Sequence, residues 1–76
     1  MVTAYVTISS ELGSEDDIRK ELSSIEGVRE SHVVYGVYDI VAVVEAESAE
    51  ELNQIVFDKI RKLNRVKSTL TLIVVE

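Results

Sequence analysis

The sequence predicts an α+β fold with the order strand–helix–strand–strand–helix–strand, on three observations. A polar–apolar alternation opens the chain. Two stretches of helical spacing follow, each behind a serine and a cluster of acids. Each helical stretch then gives way to a β-branched run that opens on valine.

Val2, Ala4, Val6 and Ile8 alternate with Thr3, Tyr5, Thr7 and Ser9, which is the period-2 signature of a half-buried strand. Leu12-Gly13-Ser14 breaks the alternation. Ser14 followed by Asp17 forms a weak capping box, and Glu15, Asp16 and Asp17 load the first turn with negative charge, where the helix dipole favours it. Ile18, Leu22 and Ile25 then fall at i, i+4 and i+7, giving one apolar helical face, and Gly27 supplies the stop. Val28 to Gly36, rich in β-branched and aromatic residues, reads as the second strand. Gly36-Val37-Tyr38-Asp39 makes a tight connection, and Ile40 to Ala46 makes the third strand. Ser48 with Glu51 is the better of the two capping boxes, and Leu52, Ile55, Val56, Ile60 and Leu63 share a helical face behind it. Asn64 closes that helix, and Val66 to Val75 reads as the last strand.

With right-handed crossovers, this order places both helices on one face of a four-stranded antiparallel sheet, the ferredoxin-like arrangement. The opposite face should then be wet, yet it reads as apolar. If Leu70, Leu72 and Val74 face the helices with Val2, Ala4, Val6 and Ile8, the residues left outside are Tyr5, Val41, Val43, Ile73 and Val75. A contiguous apolar patch of that kind marks association, and a one-residue register error would still leave both faces apolar. The expectation is association, as a dimer or higher, through a face that carries these five residues.

Composition narrows the function. Seventy-six residues fit one small domain of modest intrinsic stability, for which oligomerisation is the available staple. There is no cysteine and one histidine, which excludes disulfides, thiolate metal sites and cysteine nucleophiles and leaves no cofactor or metal to expect. The net charge of −6 disfavours direct nucleic-acid binding. The cations Lys59, Arg61, Lys62, Arg65 and Lys67 read as charges gathered at a helix C-terminus. No apolar run reaches the ~18 residues of a membrane span, and Met1 to Ser10 lacks the pattern of a signal peptide, so a cytoplasmic location is expected.

No active site is legible. His32 stands mid-strand without an evident acid or nucleophile partner, and the glycines at 13, 27 and 36 are isolated, so no phosphate loop exists. The most informative local feature is Val34-Tyr35-Gly36-Val37-Tyr38-Asp39. A glycine turn flanked by tyrosines and a carboxylate can present backbone N–H groups and an acid to a zwitterion, although an ordinary hairpin turn has the same composition. Ser68, Thr69 and Thr71 open the last strand with hydroxyls that either complete a polar pocket or are simply good strand formers.

Taken together, Val33 to Val41, Glu50-Glu51-Leu52 through Ile60 and Val66, and Ser68-Thr69-Leu70-Thr71-Leu72-Ile73-Val74 resemble the effector-binding domain of the Lrp/AsnC transcriptional regulators, the RAM domain. Ala4 to Ile8 is similar to its first strand, so the resemblance covers essentially the whole chain. It implies dimers packed sheet to sheet, further assembly into octamer-like rings, and an amino-acid effector bound where dimers meet. Carried over by motif, Gly36, Tyr38 and Asp39 would form the ligand loop, with Tyr35 flanking it. Ser68, Thr69 and Thr71 would face the same pocket. The chain opens on the first strand without a helix-turn-helix, so the expectation is a stand-alone module, residues 1–76, that is not an enzyme. It would bind an amino acid and act on transcription or amino-acid metabolism, with a full-length Lrp/AsnC regulator as a possible partner. A pure assembly module, or more distantly a small dimeric barrel enzyme, is the alternative.

Overall fold

The computed structural model describes residues 1–75, in the order β1 (Val2–Ser10), α1 (Glu15–Leu22), β2 (Val28–Val33), β3 (Ile40–Ala46), α2 (Ala49–Ile55) and β4 (Val66–Ile73). The strands form one antiparallel sheet in the order β2-β3-β1-β4, the expected ferredoxin-like topology. Ala4, Val6 and Ile8 of β1 and Ile40, Ala42 and Val44 of β3 are fully buried beneath Ile18 and Leu22 of α1 and Leu52 and Ile55 of α2. The two central strands thus carry the core, and both helices lie on the same face.

Local chemistry explains the helix boundaries. Ser48 caps α2 as its spacing implies: its Oγ accepts from the Glu51 N–H at 3.1 Å. Ser14 does not cap α1 through its side chain. Its hydroxyl instead donates to the Glu11 carbonyl, and the acidic first turn is left to supply the electrostatic cap. The first helix also ends sooner than its apolar spacing suggests, so Ile25 packs against the core from the turn that follows rather than from the helix. Behind α2, Val56–Ile60 winds as a π-helical turn closed by the Arg61 N–H on the Val56 carbonyl at 2.9 Å. Val56 and Ile60 are buried there, while Phe57 stays exposed beneath the Arg61 guanidinium, 5.0 Å from its ring centre.

Gly27 has a backbone requirement. Its φ is +101°, and a Cβ there would lie 2.8 Å from Ile55 Cδ1 and 3.1 Å from the Glu45 carbonyl oxygen. The N–H of Glu45 donates to the Gly27 carbonyl at 2.8 Å, so the α1–β2 turn is pinned against the end of β3.

The last strand departs from the simple alternation. Ser9 stands opposite Ser68, but Ser10 stands opposite Val66, so Lys67 is an extra residue on β4, a β-bulge. The bulge reverses which side chains point inward from there on. Thr69, Thr71 and Ile73 pair with the buried Ile8, Val6 and Ala4 and share the helix side, whereas Leu70 and Leu72 pair with Thr7 and Tyr5 on the outer face. Ile73 is therefore not an outer-face residue. Val75 lies beyond the end of β4 and is exposed. Val74, whose N–H donates to the Thr3 carbonyl at 2.8 Å, continues the outer row with Leu70 and Leu72.

Candidate functional site

The bulge redraws the outer face without emptying it. Tyr5 on β1, Val41 and Val43 on β3, and Leu70, Leu72 and Val74 across β1 from them form one apolar surface. Tyr5 is 47% exposed, Leu70 45%, Leu72 50% and Val74 40%, which is too much apolar area in one place for a face designed to meet water. Its β2 margin is polar: Glu30 and His32 stand opposite Val43 and Val41, with His32 Nε2 2.8 Å from Glu30 Oε1.

The second group of sequence-predicted residues gathers at one end of the sheet. β2 stops at Val33, earlier than its composition suggests, and residues 34–39 form an open connection. Tyr35 and Gly36 project from it fully into solvent, as does Val37, whereas Tyr38 and Asp39 fold back and are half-buried. Gly36 has φ of 158°, at the border of the extended region, and a Cβ there would meet nothing within 4 Å, so the turn does not need glycine for space.

Asp39 is the organising residue. Its carbonyl accepts from the Val34 N–H at 2.8 Å and its N–H donates to the Ile8 carbonyl at 3.0 Å, closing the connection and pinning it to β1. Its carboxylate Oδ2 accepts from both the N–H and the hydroxyl of Ser10, at 2.9 and 3.3 Å. No ion pair reaches Asp39 among the described residues, whose cation–carboxylate pairs are Arg29–Glu45, His32–Glu30 and Arg65–Asp17. The end of β1 is thus flanked by Tyr38 and Asp39 on one side and by the start of β4 on the other.

The three hydroxyls of β4 do not share one face. Ser68 points outward opposite Ser9, while Thr69 and Thr71 are half-buried on the helix side opposite Ile8 and Val6. The bulge at Lys67 is the cause. Ser10 is the residue that sequence reasoning missed. The signal was present, because Ser10 continues the inward series Ala4, Val6, Ile8 and is a buried polar residue, 7% exposed, where an apolar one is expected.

The single chain has surface clefts elsewhere. One of about 490 Å³ lies between Gly27, Glu45, Glu51 and Ile55, and one of about 620 Å³ runs along α1 and β2 past Arg19, Arg29 and His32. A third, of about 330 Å³, lies at Asp17 and Arg65. None of these three is lined by Tyr35, Gly36, Tyr38, Asp39, Ser68, Thr69 or Thr71. The hairpin and the start of β4 present polar groups at the end of the sheet. Among the described residues, no cluster of three metal-ligating side chains occurs and no helix is long and apolar enough to cross a membrane.

Comparison with known proteins agrees with this architecture. An uncharacterised HTH-type transcriptional regulator of Pyrococcus furiosus is 35% identical over 74 residues, which are 93% of this chain and 49% of the regulator. The homocitrate synthase of Sulfolobus acidocaldarius is 44% identical over 59 residues, 78% of this chain but only 12% of the synthase. The chain therefore spans about half the length of the regulator and a small part of the enzyme. Among solved structures, a Thermus thermophilus protein superposes with a TM-score of 0.95 at 32% identity, covering 100% of this chain and 95% of its own. The family model for the Lrp/AsnC ligand binding domain matches residues 3–76, nearly the entire sequence, and by that match the chain belongs to the Lrp/AsnC ligand-binding-domain family.

Proposed function

We propose that the protein is a self-assembling effector-binding module that regulates by binding an amino acid and does not itself catalyse a reaction. The observation that carries this reading is the pair Tyr38 and Asp39 held at the end of β1, on a sheet whose outer face is exposed and apolar. A ligand site built from these groups is incomplete in one chain, and a neighbouring copy would close it. Asp39 supports a cationic recognition element, since its half-buried carboxylate is held by Ser10 but paired with no side-chain cation among the described residues. The backbone N–H groups of the exposed residues 35–37 supply complementary donors for an α-carboxylate. The outer face supports a dimer packed sheet to sheet through Tyr5, Val41 and Val43. On β4 the bulge replaces Ile73 and Val75 with Leu70, Leu72 and Val74.

Transcriptional regulation is the first reading, because the regulator relative carries the matched segment as about half its length. On this reading the module acts by co-assembling with a full-length regulator, since its net charge of −6 works against direct attraction to DNA. The match to a homocitrate synthase favours a second reading, in which the same module regulates an enzyme of amino-acid metabolism. Light scattering and thermal melting with each of the twenty amino acids test the common core of both readings. One amino acid is expected to raise Tm and to stabilise an even-numbered assembly, a ring of dimers included. A protein that stays monomeric and whose Tm none of the twenty moves would refute it.

A further inference from the structure

The connection between β2 and β3 has little of its own to hold it in place. Tyr35, Gly36 and Val37 are solvent-exposed, and within the connection the Val34 N–H on the Asp39 carbonyl is the backbone bond that closes it. What fixes it to the body of the sheet comes from β1: the Ile8 carbonyl, and the two donors of Ser10 on Asp39 Oδ2. Ser10 is also the residue at which the β1–β4 register shifts, opposite Val66, and the next N–H, that of Glu11, donates to the Arg65 carbonyl at 2.9 Å. One buried serine thus touches the hairpin through its donors and the start of β4 through its backbone register. Its inward place on β1 would suit an aliphatic side chain. A hydroxyl there is explained by the carboxylate it meets.

We propose that Ser10 is a positioning residue for the effector site. It directs both its donors to Oδ2 of Asp39, which orients the carboxylate, holds the hairpin against the end of β1, and leaves Oδ1 without a partner in the described chain. Oδ1 is then the acceptor offered to an ammonium group. Ser10 itself does not touch the ligand. The inference rests on the amino-acid-binding reading above, and it adds a residue on a different element that sets the geometry of the site.

The test compares Ser10→Ala, Ser10→Thr and Asp39→Asn with the unmodified protein. Amide hydrogen exchange is measured without ligand, and titration calorimetry is run with each of the twenty amino acids. Ser10→Ala is expected to speed exchange of the Val34 and Asp39 amides several-fold while core amides such as Val6 and Val43 stay protected. It should weaken binding by about three- to tenfold, the loss of one hydrogen bond to a charged group spaced at the long end of the range. Ser10→Thr restores the hydroxyl and should recover both properties. Asp39→Asn keeps an acceptor for Ser10 but removes the charge, so it should slow hairpin exchange relative to Ser10→Ala while abolishing measurable binding. Unchanged hairpin exchange and unchanged affinity in Ser10→Ala would overturn the positioning role and leave the effector reading standing. Failure of the unmodified protein to bind any of the twenty would overturn both. Should Ser10→Ala unfold, an Asp39→Asn protein that binds as tightly as the original would refute the inference by itself.

Discussion

In the proposed sheet-to-sheet dimer, the bulge at Lys67 places Leu72, and not its neighbour Ile73, at the interface, and replacing each with lysine tests this. Leu72, on the edge strand β4, stands opposite Tyr5 on the outer face and is 50% exposed in the single chain, whereas Ile73 stands opposite Ala4 on the helix side. Full burial of a leucine side chain is worth roughly 1.5–3 kcal/mol, so covering the exposed half contributes about 1 kcal/mol per copy. A symmetric pair contains the contact on both subunits, giving about 2 kcal/mol, or roughly a 30-fold change in dissociation constant. Leu72→Lys loses that contact and in addition asks two ammonium groups to leave water at an apolar interface, at several kcal/mol each. Size-exclusion chromatography with light scattering should therefore find Leu72→Lys monomeric at concentrations where the unmodified protein associates. Ile73→Lys should keep the original mass. The opposite result, with Ile73→Lys dissociating and Leu72→Lys assembling normally, would refute the assignment of the outer face as the interface.

Three further outcomes follow from the fold. Gly27→Ala must accommodate a Cβ at φ +101° and 2.8 Å from Ile55 Cδ1. Left-handed strain of about 1–2 kcal/mol and overpacking of about 1–3 kcal/mol should together lower Tm by more than about 10 °C, read by circular dichroism. Ser48→Ala removes the cap on the Glu51 N–H and should cost about 1 kcal/mol in urea denaturation with no change in assembly. Arg29→Met breaks the pair with Glu45, but the two side chains are 63% and 27% exposed, so the unfolding free energy from urea denaturation should fall by no more than about 1 kcal/mol, and less in high salt. A larger loss there would mean that Arg29 is buried against another subunit.

Much of this protein was legible before any coordinates. The alternation of Val2 to Ile8, the Ser48–Glu51 box and the apolar spacing of Leu52, Ile55 and Ile60 depend on neighbours a few residues away, so they fix strand and helix locally. The same short-range logic exposed the second apolar face, because β3 is hydrophobic at every position from Ile40 to Val44. That a connection near Gly36 and Asp39 joins two strands could likewise be read, although β2 stops at Val33 and the connection is longer than the tight turn expected. Two things could not. Which side of β4 faces the helices was decided by one extra residue, Lys67, whose presence in a bulge depends on how Ser9 and Ser10 pair with a strand more than fifty residues later. Alternation has a period of two, so one insertion reverses every side chain beyond it: Leu72 comes out, Ile73 goes in, and Ser68 parts from Thr69 and Thr71. The partnership of Ser10 with Asp39 was hidden for the same reason, being a contact between residues 29 positions apart that exists only once β1 and β3 are paired. Composition and periodicity determine which elements form and that both sheet faces are apolar. Only long-range pairing decides which residues those faces carry and which polar groups meet at the rim.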